Sequence, residues 1–523
     1  MLPLSTNDMK LPRFPGLLIC LMLIGAVAGC PGNGKVSTGD SAKSEATAEE
    51  LLASAIYQLR PENYTIAAAT DKPINLLNSW SERVSNSVSD VEPAALPADW
   101  IDETEAARLK VRLFDLRDAV HVRDAMLNHA MVTYLAARGT DEVSQVQAIF
   151  DFVVRNITLR SPDETDLPLG VYQLLLLGRG NAEDRAWVCG ALLKQLHIDS
   201  VVVRPADADN DAWLLGVILN QQIYLFDPRM GIALPATADP AAKPGRPATL
   251  EEIVSHPEWL QPLALRADQP YAIDADGLKD AHLQPIVESD YWSPRMKQLE
   301  SVLPANDLCV LYDPVVDEAG RSGLLSRLQK VAPSKADQLK PWQYPRQQII
   351  AGFTTTPAVK QAWEMAFQTF SLPIPVVTDR QTQQTSLGTP ERRMLRIRTD
   401  QLLGNFEEAT ERYLSIRHLE VEPVPVQELS ILNRMGAENA IYWTAICKFE
   451  VREYQAAIEQ LSAYLKRYDR NGRWNFAARA LLAECHAELG HFSEAIAVLE
   501  RTRSDDPYRE ANAIRVKRWT ARK

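Results

Sequence analysis

Three segments near the C-terminus repeat one pattern, and that pattern leaves few folds open to the chain carrying it. "LGNFEEATERYLSI", "VREYQAAIEQLSAY" and "LGHFSEAIAVLERT" each place an aromatic residue first (Phe406, Tyr454, Phe492). An alanine follows three residues later (Ala409, Ala457, Ala495), and a large side chain four beyond it (Tyr413, Leu461, Leu499). Residues three and four apart share one helix face. A small residue there lets two antiparallel backbones approach, and the larger ones fill the groove between them. The alanines lie 48 and 38 residues apart, and the excess over a tight repeat falls in polar loops such as "RYDRNGRW". Cys447 and Cys485 each stand ten residues before a repeat alanine, which assigns both as small packed core residues.

This pattern resembles the tetratricopeptide repeat over roughly 391–508. Pro507 stands twelve residues after Ala495, where that family's pattern places a proline. The resemblance implies a curved all-α stack over 391–510 that binds a protein or peptide. The alternative is a set of helices that only caps the preceding domain.

The chain has 523 residues, enough for two to four domains, with 46% hydrophobic and 24% charged residues, as in a chain that buries real cores. Its formal charge is −12 and its pI about 5.3, which argues against nucleic acid as the main partner. Six scattered cysteines form neither a disulfide framework nor a CxxC metal pattern. No phosphate loop, HExxH or dinucleotide fingerprint is present, so no cofactor and no metal is expected.

The N-terminus reads as a targeting segment. Lys10 and Arg13 precede "FPGLLICLMLIGAV", an apolar run too short to span a bilayer, and the run ends in "VAGC". This resembles the lipobox of bacterial lipoproteins, a family that acylates the cysteine and cleaves before it. The resemblance implies that residues 1–29 are a signal peptide and that Cys30 is lipidated. It further implies that the protein sits in the cell envelope, held to a membrane on its extracytoplasmic side. An ordinary secretory signal and an uncleaved anchor are the alternatives. Residues 30–48, rich in Gly, Ser and Ala, read as a flexible tether.

Residues 49–140 read as a helical region, broken at Pro61 and Pro73 and with one long helical pattern over 101–138. In 141–240, "SQVQAIFDFVVRNITL" and "AWVCGALLKQL" read as helices, with Cys189 near the start of the second. "DSVVVRP", "AWLLGVIL" and "QQIYLFDP" read as strands. Residues 250–390 read as mixed α/β of unknown role, with "NDLCVLYDP", which contains Cys309, expected as a strand.

The order helix, cysteine helix, strand, strand ending in Asp-Pro resembles the transglutaminase-like superfamily over about 144–235. The resemblance implies an α+β, papain-like core with flanking helices ahead of the repeat domain. It places the nucleophile at Cys189 and the triad carboxylate at Asp227. The middle member of that triad is a histidine, and the matching stretch "DAW" carries Asp211 instead, followed by Ala212 and Trp213.

A thiol attacks as thiolate, and an imidazolium lowers its pKa and later protonates the leaving group. Asp211 can do neither, and its negative charge would raise the thiol pKa. His197, eight residues along the helix from Cys189, lies about 12 Å away along the axis and cannot reach it. The expectation is therefore a non-catalytic binding or scaffold protein. The alternative is an active cysteine hydrolase or amide cross-linking enzyme using Cys189.

Overall fold

Alternating apolar residues in the middle of the chain make a sheet that is buried on both faces. The computed structural model describes residues 46–64, 71–85, 96–97, 99–161, 164, 166–206, 212–242, 245–266, 268–332, 339–421, 424, 427–468, 472–500 and 503–523. Cys30, the leader and Asp211 lie outside these residues. The chain divides into Met1–Ala46, of which only Ala46 is described, and the compact unit Thr47–Lys523.

That unit opens with helices α1 (Ala48–Leu59), α2 (Asp71–Ser85), α3 (Glu103–Lys110) and α4 (Leu116–Ala136). Pro73 sits in the first turn of α2, where its missing N–H costs nothing, so it starts a helix and does not break one. The long helical pattern of 101–138 is two helices. Asp115 caps α4 by accepting the N–H of Asp118, while Asp118 accepts that of Asp115.

Next come α5 (Glu142–Asn156), β1 (Thr158–Leu159), α6 (Val171–Leu177), β2 (Arg179–Gly180) and α7 (Ala182–Lys194). The strands β3 (Ser200–Arg204), β4 (Leu214–Leu219), β5 (Gln222–Asp227) and β6 (Ile232–Ala233) follow, then α8 (Leu250–Ser255), α9 (Ala275–Lys279) and β7 (His282–Pro285). The sheet has the order β6-β5-β4-β3-β7 and is antiparallel throughout. Its edge strand β7, paired Val202 to Gln284, comes from the stretch in which the sequence showed no function.

Val202, Leu215, Val217, Tyr224 and Phe226 face one core, shared with α5, α6, α7 and the C-terminal helices. Val201, Val203, Leu214, Ile223 and Leu225 face a second core, closed by α8, α9 and Ile514. A Cβ on Gly216 would come within 2.6 Å of the Ile223 side chain and 2.9 Å of Val201, so this strand position is restricted to glycine by close approach.

Helices α10 (Pro294–Glu300), α11 (Leu324–Val331), α12 (Tyr344–Phe353) and α13 (Pro357–Phe367) lead to the small hairpin β8 (Val376–Thr378) and β9 (Thr385–Leu387). The segment around Cys309 is not a strand. Side chains take the place of a neighbouring strand: Val310 exchanges hydrogen bonds with Gln195 at 2.9 and 3.0 Å, and Glu300 accepts the N–H groups of Leu311 and Tyr312 at 2.7 and 2.8 Å. With its backbone satisfied this way, the segment needs no ladder.

From residue 393 the chain is helical: α14 (Arg393–Leu402), α15 (Phe406–Arg417), α16 (Gln427–Glu450), α17 (Tyr454–Tyr468), α18 (Asn475–Glu488), α19 (Phe492–Leu499) and α20 (Arg509–Arg522). Each contacts the next, as in a helical repeat. Among the described residues, no helix is long and apolar enough to cross a membrane.

Candidate functional site

Helix α7 is where a nucleophile was expected. Asn181 caps it, accepting the N–H of Asp184 at 2.7 Å, while Asp184 accepts the N–H of Asn181 at 2.9 Å. This cap fixes the first turn at Ala182–Asp184, which contains no cysteine. Cys189 stands in the middle of the helix, about 10 Å further along, and not at its start. It is 0% exposed, among Phe150, Val153 and Leu192 of the first core. Burial pushes its thiol far above the ordinary range, and the Asp151 carboxylate pushes the same way. A thiol in this position stays protonated and shielded. Cys309, Cys447 and Cys485 are likewise free and buried.

Asp227 is also fully buried, but on the other side of the sheet. It has the parity of Ile223 and Leu225, so it points toward the second core. Tyr271, a member of that core, donates its hydroxyl to Asp227 at 2.6 Å. The backbone N–H groups of Arg229 and Met230 donate at 2.9 and 3.1 Å. Asp227 thus shapes the turn after β5, and the sheet separates it from Cys189. Trp213 is buried against Trp342, with ring centroids 5.8 Å apart. His197 is exposed and takes the left-handed turn, φ 58°, that ends α7.

The start of α7 opens on a cleft of about 410 Å³. Asn181, Ala182 and Arg229 line one side, and Asp506, Pro507 and Arg509, at the start of α20, line the other. The lining has charged groups but neither a thiol nor an imidazole. Among the described residues, no group of His, Cys, Asp and Glu is arranged to hold a metal.

The repeat alanines Ala409, Ala457 and Ala495 are each 0% exposed, and Tyr413, Leu461 and Leu499 fill the grooves beside them. Every pair turns the same way. Gly404, Arg452 and Gly490 each take positive φ (87°, 62° and 77°) two residues before the aromatic. The following N–H closes the turn in all three: Asn405 onto Asp400, Glu453 onto Lys448 and His491 onto His486, at 3.0, 2.9 and 2.9 Å.

The first helix of each pair faces the rest of the protein. Arg398 of α14, 0% exposed, donates to the carbonyls of Leu175 and Leu176 at 2.8 and 3.2 Å and lies over the Trp443 ring. Glu450 at the end of α16 accepts from Arg155 of α5 at 2.9 Å and is ion-paired to Arg138 as well. Arg179 donates to the carbonyl of Arg473, just before α18, at 2.9 Å and lies over Trp474. The second helices α15, α17 and α19 turn their polar residues outward: Glu408, Glu459, Ser462 and Glu494 are exposed.

Sequence reasoning missed Arg185. It is 1% exposed and donates to the carbonyls of Ile157, Pro228 and Val154 at 2.8, 2.8 and 3.1 Å. The available signal was an arginine directly followed by the apolar and small run "AWVCGALL".

A family model described as anaphase-promoting complex, cyclosome, subunit 3 matches residues 430–502. The match is tetratricopeptide-like and spans α16 to α19. No curated protein and no solved structure matches the chain. Geometry and match together define the C-terminal part as a tetratricopeptide-like repeat region, a class that mediates protein–protein contact.

Proposed function

We propose that the protein is an envelope lipoprotein, anchored through a lipid on Cys30. It carries a catalytically silent transglutaminase-like core and a repeat stack that binds a protein or peptide. The observation that carries the silent reading is the placement of Cys189, mid-helix and wholly buried, with the sheet between it and Asp227. Asp211, at the position of the absent histidine, adds to the same reading. The anchor rests on the lipobox-like "VAGC".

The repeat stack uses the inner faces of α14, α16 and α18 to hold its own chain. A partner is therefore received on the outer side, across α15, α17 and α19. The test uses the full-length protein. Labelled palmitate is incorporated and lost in Cys30→Ala. A partner captured from envelope extract is retained by Cys189→Ala and lost by Glu459→Arg with Ser462→Arg on α17. Amidase or cross-linking activity that disappears in Cys189→Ala overturns the silent reading, and capture that ignores the α17 substitutions overturns the docking side.

A further inference from the structure

Beneath α12 and α13, and against α4 and α7, lies a cavity of about 400 Å³, within the range of about 300–1,000 Å³ typical of small-molecule sites. Neither Cys189 nor Asp227 lines it. Trp187, Tyr291 and Trp363 give it aromatic walls, and the exposed Phe353 and Lys360 mark its outer rim.

Three polar groups on the wall have bonding capacity left over. Asp124 receives the Nε–H of Arg123 on one oxygen at 2.8 Å, and its other oxygen has no donor among the described residues. Glu288 receives the indole N–H of Trp187 on one oxygen at 2.6 Å, and its other oxygen likewise has none. Asn128, one turn along α4 from Asp124, is 2% exposed, and its side-chain oxygen has no partner. A buried amide oxygen without a hydrogen bond is costly, about 1–3 kcal/mol, and points to an occupant.

Each of the two arginines nearby holds a carboxylate, and Lys360 stands at the exposed rim. Arg117 donates to Glu105 and Asp290 at 2.8 and 2.9 Å, and Arg123 lies over the Tyr172 ring while paired to Asp124. His121 meets the Leu311 carbonyl at 3.0 Å. Arg117 Nε and Arg123 Nη1 also lack acceptors, so a carboxylate ligand is the competitor a test has to separate.

We propose that this cavity binds an organic ammonium ion, a primary amine on a short apolar stem. Its three N–H donors are met by Asp124, Glu288 and Asn128, and its stem lies against Trp187 and Trp363. An ammonium carries three donors and no acceptor, which matches three acceptors without donors. Aromatic faces add cation–π attraction.

Burial, reinforced by Asp290 and Asp124, pushes the Glu288 carboxyl up to about 7, while the Trp187 hydrogen bond and Arg117 oppose the rise. The charged and titratable groups facing it are Arg117, His121, Arg123 and Asp124 of α4, Asp290 and Tyr291 on its own segment, and Lys360 of α13. An amine binds the ionised carboxylate, so its affinity rises with pH as Glu288 loses its proton. Between pH 6 and pH 8 the gain is up to about tenfold.

Isothermal titration of the full-length protein with 1-aminopentane, 1-pentanol and pentanoate, each at pH 6 and pH 8, tests the proposal. The expected result is amine binding that exceeds pentanol binding at least tenfold and tightens at pH 8. Glu288→Gln should weaken the amine at least tenfold and remove the pH dependence. Asn128→Leu is the second variant, expected to weaken the amine while leaving pentanol unchanged, and circular dichroism checks that both variants fold. Amine no tighter than pentanol, pentanoate preferred to the amine, or variants that bind the amine like the parent overturn it. The proposal stands apart from the anchor, silent-core and partner readings above.

Discussion

The carboxylate of Glu450, at the last residue of α16, lies 2.9 Å from the guanidinium of Arg155 on α5, and the Glu450 side chain is 1% exposed. This pair joins the repeat stack to the middle of the molecule. Removing one member of a buried pair strands the other, at about 3–5 kcal/mol. Glu450→Gln is expected to destabilise the protein by that amount in urea unfolding. A loss under 1 kcal/mol would show that the join is made by apolar packing alone.

Acid is expected to weaken the protein in a defined window. Lys194 of α7 reaches Asp199 and Asp313 at 2.9 and 2.8 Å, and Arg327 of α11 reaches the same two at 2.6 and 2.7 Å. Burial opposes the charge on Asp199, but Lys194 and Arg327 outweigh it and hold this carboxyl at about 2, below its ordinary 3.8. A depressed carboxyl contributes stability that is fully present well above pH 4 and is lost as pH falls toward 2. The contribution is on the order of 2 kcal/mol. Unfolding free energy measured from pH 6 to pH 2 should fall across that window, and Asp199→Asn should flatten the fall. An unchanged acid limb in the variant would assign the loss to other carboxylates.

Cys189 is expected to resist iodoacetamide in the native protein at pH 7.5 and to react once urea unfolds the chain. Mass spectrometry of the labelled peptide reads this directly. Cys189→Ala should cost about 1–2 kcal/mol of stability as a small core truncation. Rapid native labelling would place the thiol in an opened, reactive site.

Arg452 occupies a left-handed turn that glycine fills in the other two repeats. A side chain there costs about 1–2 kcal/mol, partly offset by the greater freedom glycine has when unfolded. Arg452→Gly should therefore stabilise the protein by about 0.5–1 kcal/mol, and Gly490→Ala should destabilise it by about 1 kcal/mol. Opposite signs in a pair of denaturation curves are the expected outcome, and equal signs would contradict the shared turn.

The repeats were legible because three alanines and their neighbours recur at helical spacing, and each alanine is buried as that spacing implies. The strands β3, β4 and β5 were legible because β-branched and aromatic residues run between polar turns. β7 was not, since "HLQP" lacks that composition and is a strand only because β3 offers it an edge. The Cys309 segment misled in the opposite sense: it has strand composition, but its backbone is satisfied by side chains, Gln195 from far along the chain and Glu300 from the helix just before it. The place of Cys189 within its helix turned on where that helix begins. Asn181 followed three residues later by Asp184 was the local sign of that start.

The cleft at the start of α7 is walled in part by Ser504, Asp506, Pro507 and Arg509, and Arg185, near the start of that helix, shares a hydrogen bond with Tyr508 at 3.4 Å. The two residues stand 323 apart in the chain, so this bond closes a very long loop, and a chain cut just before Tyr508 would leave the central helix without that brace.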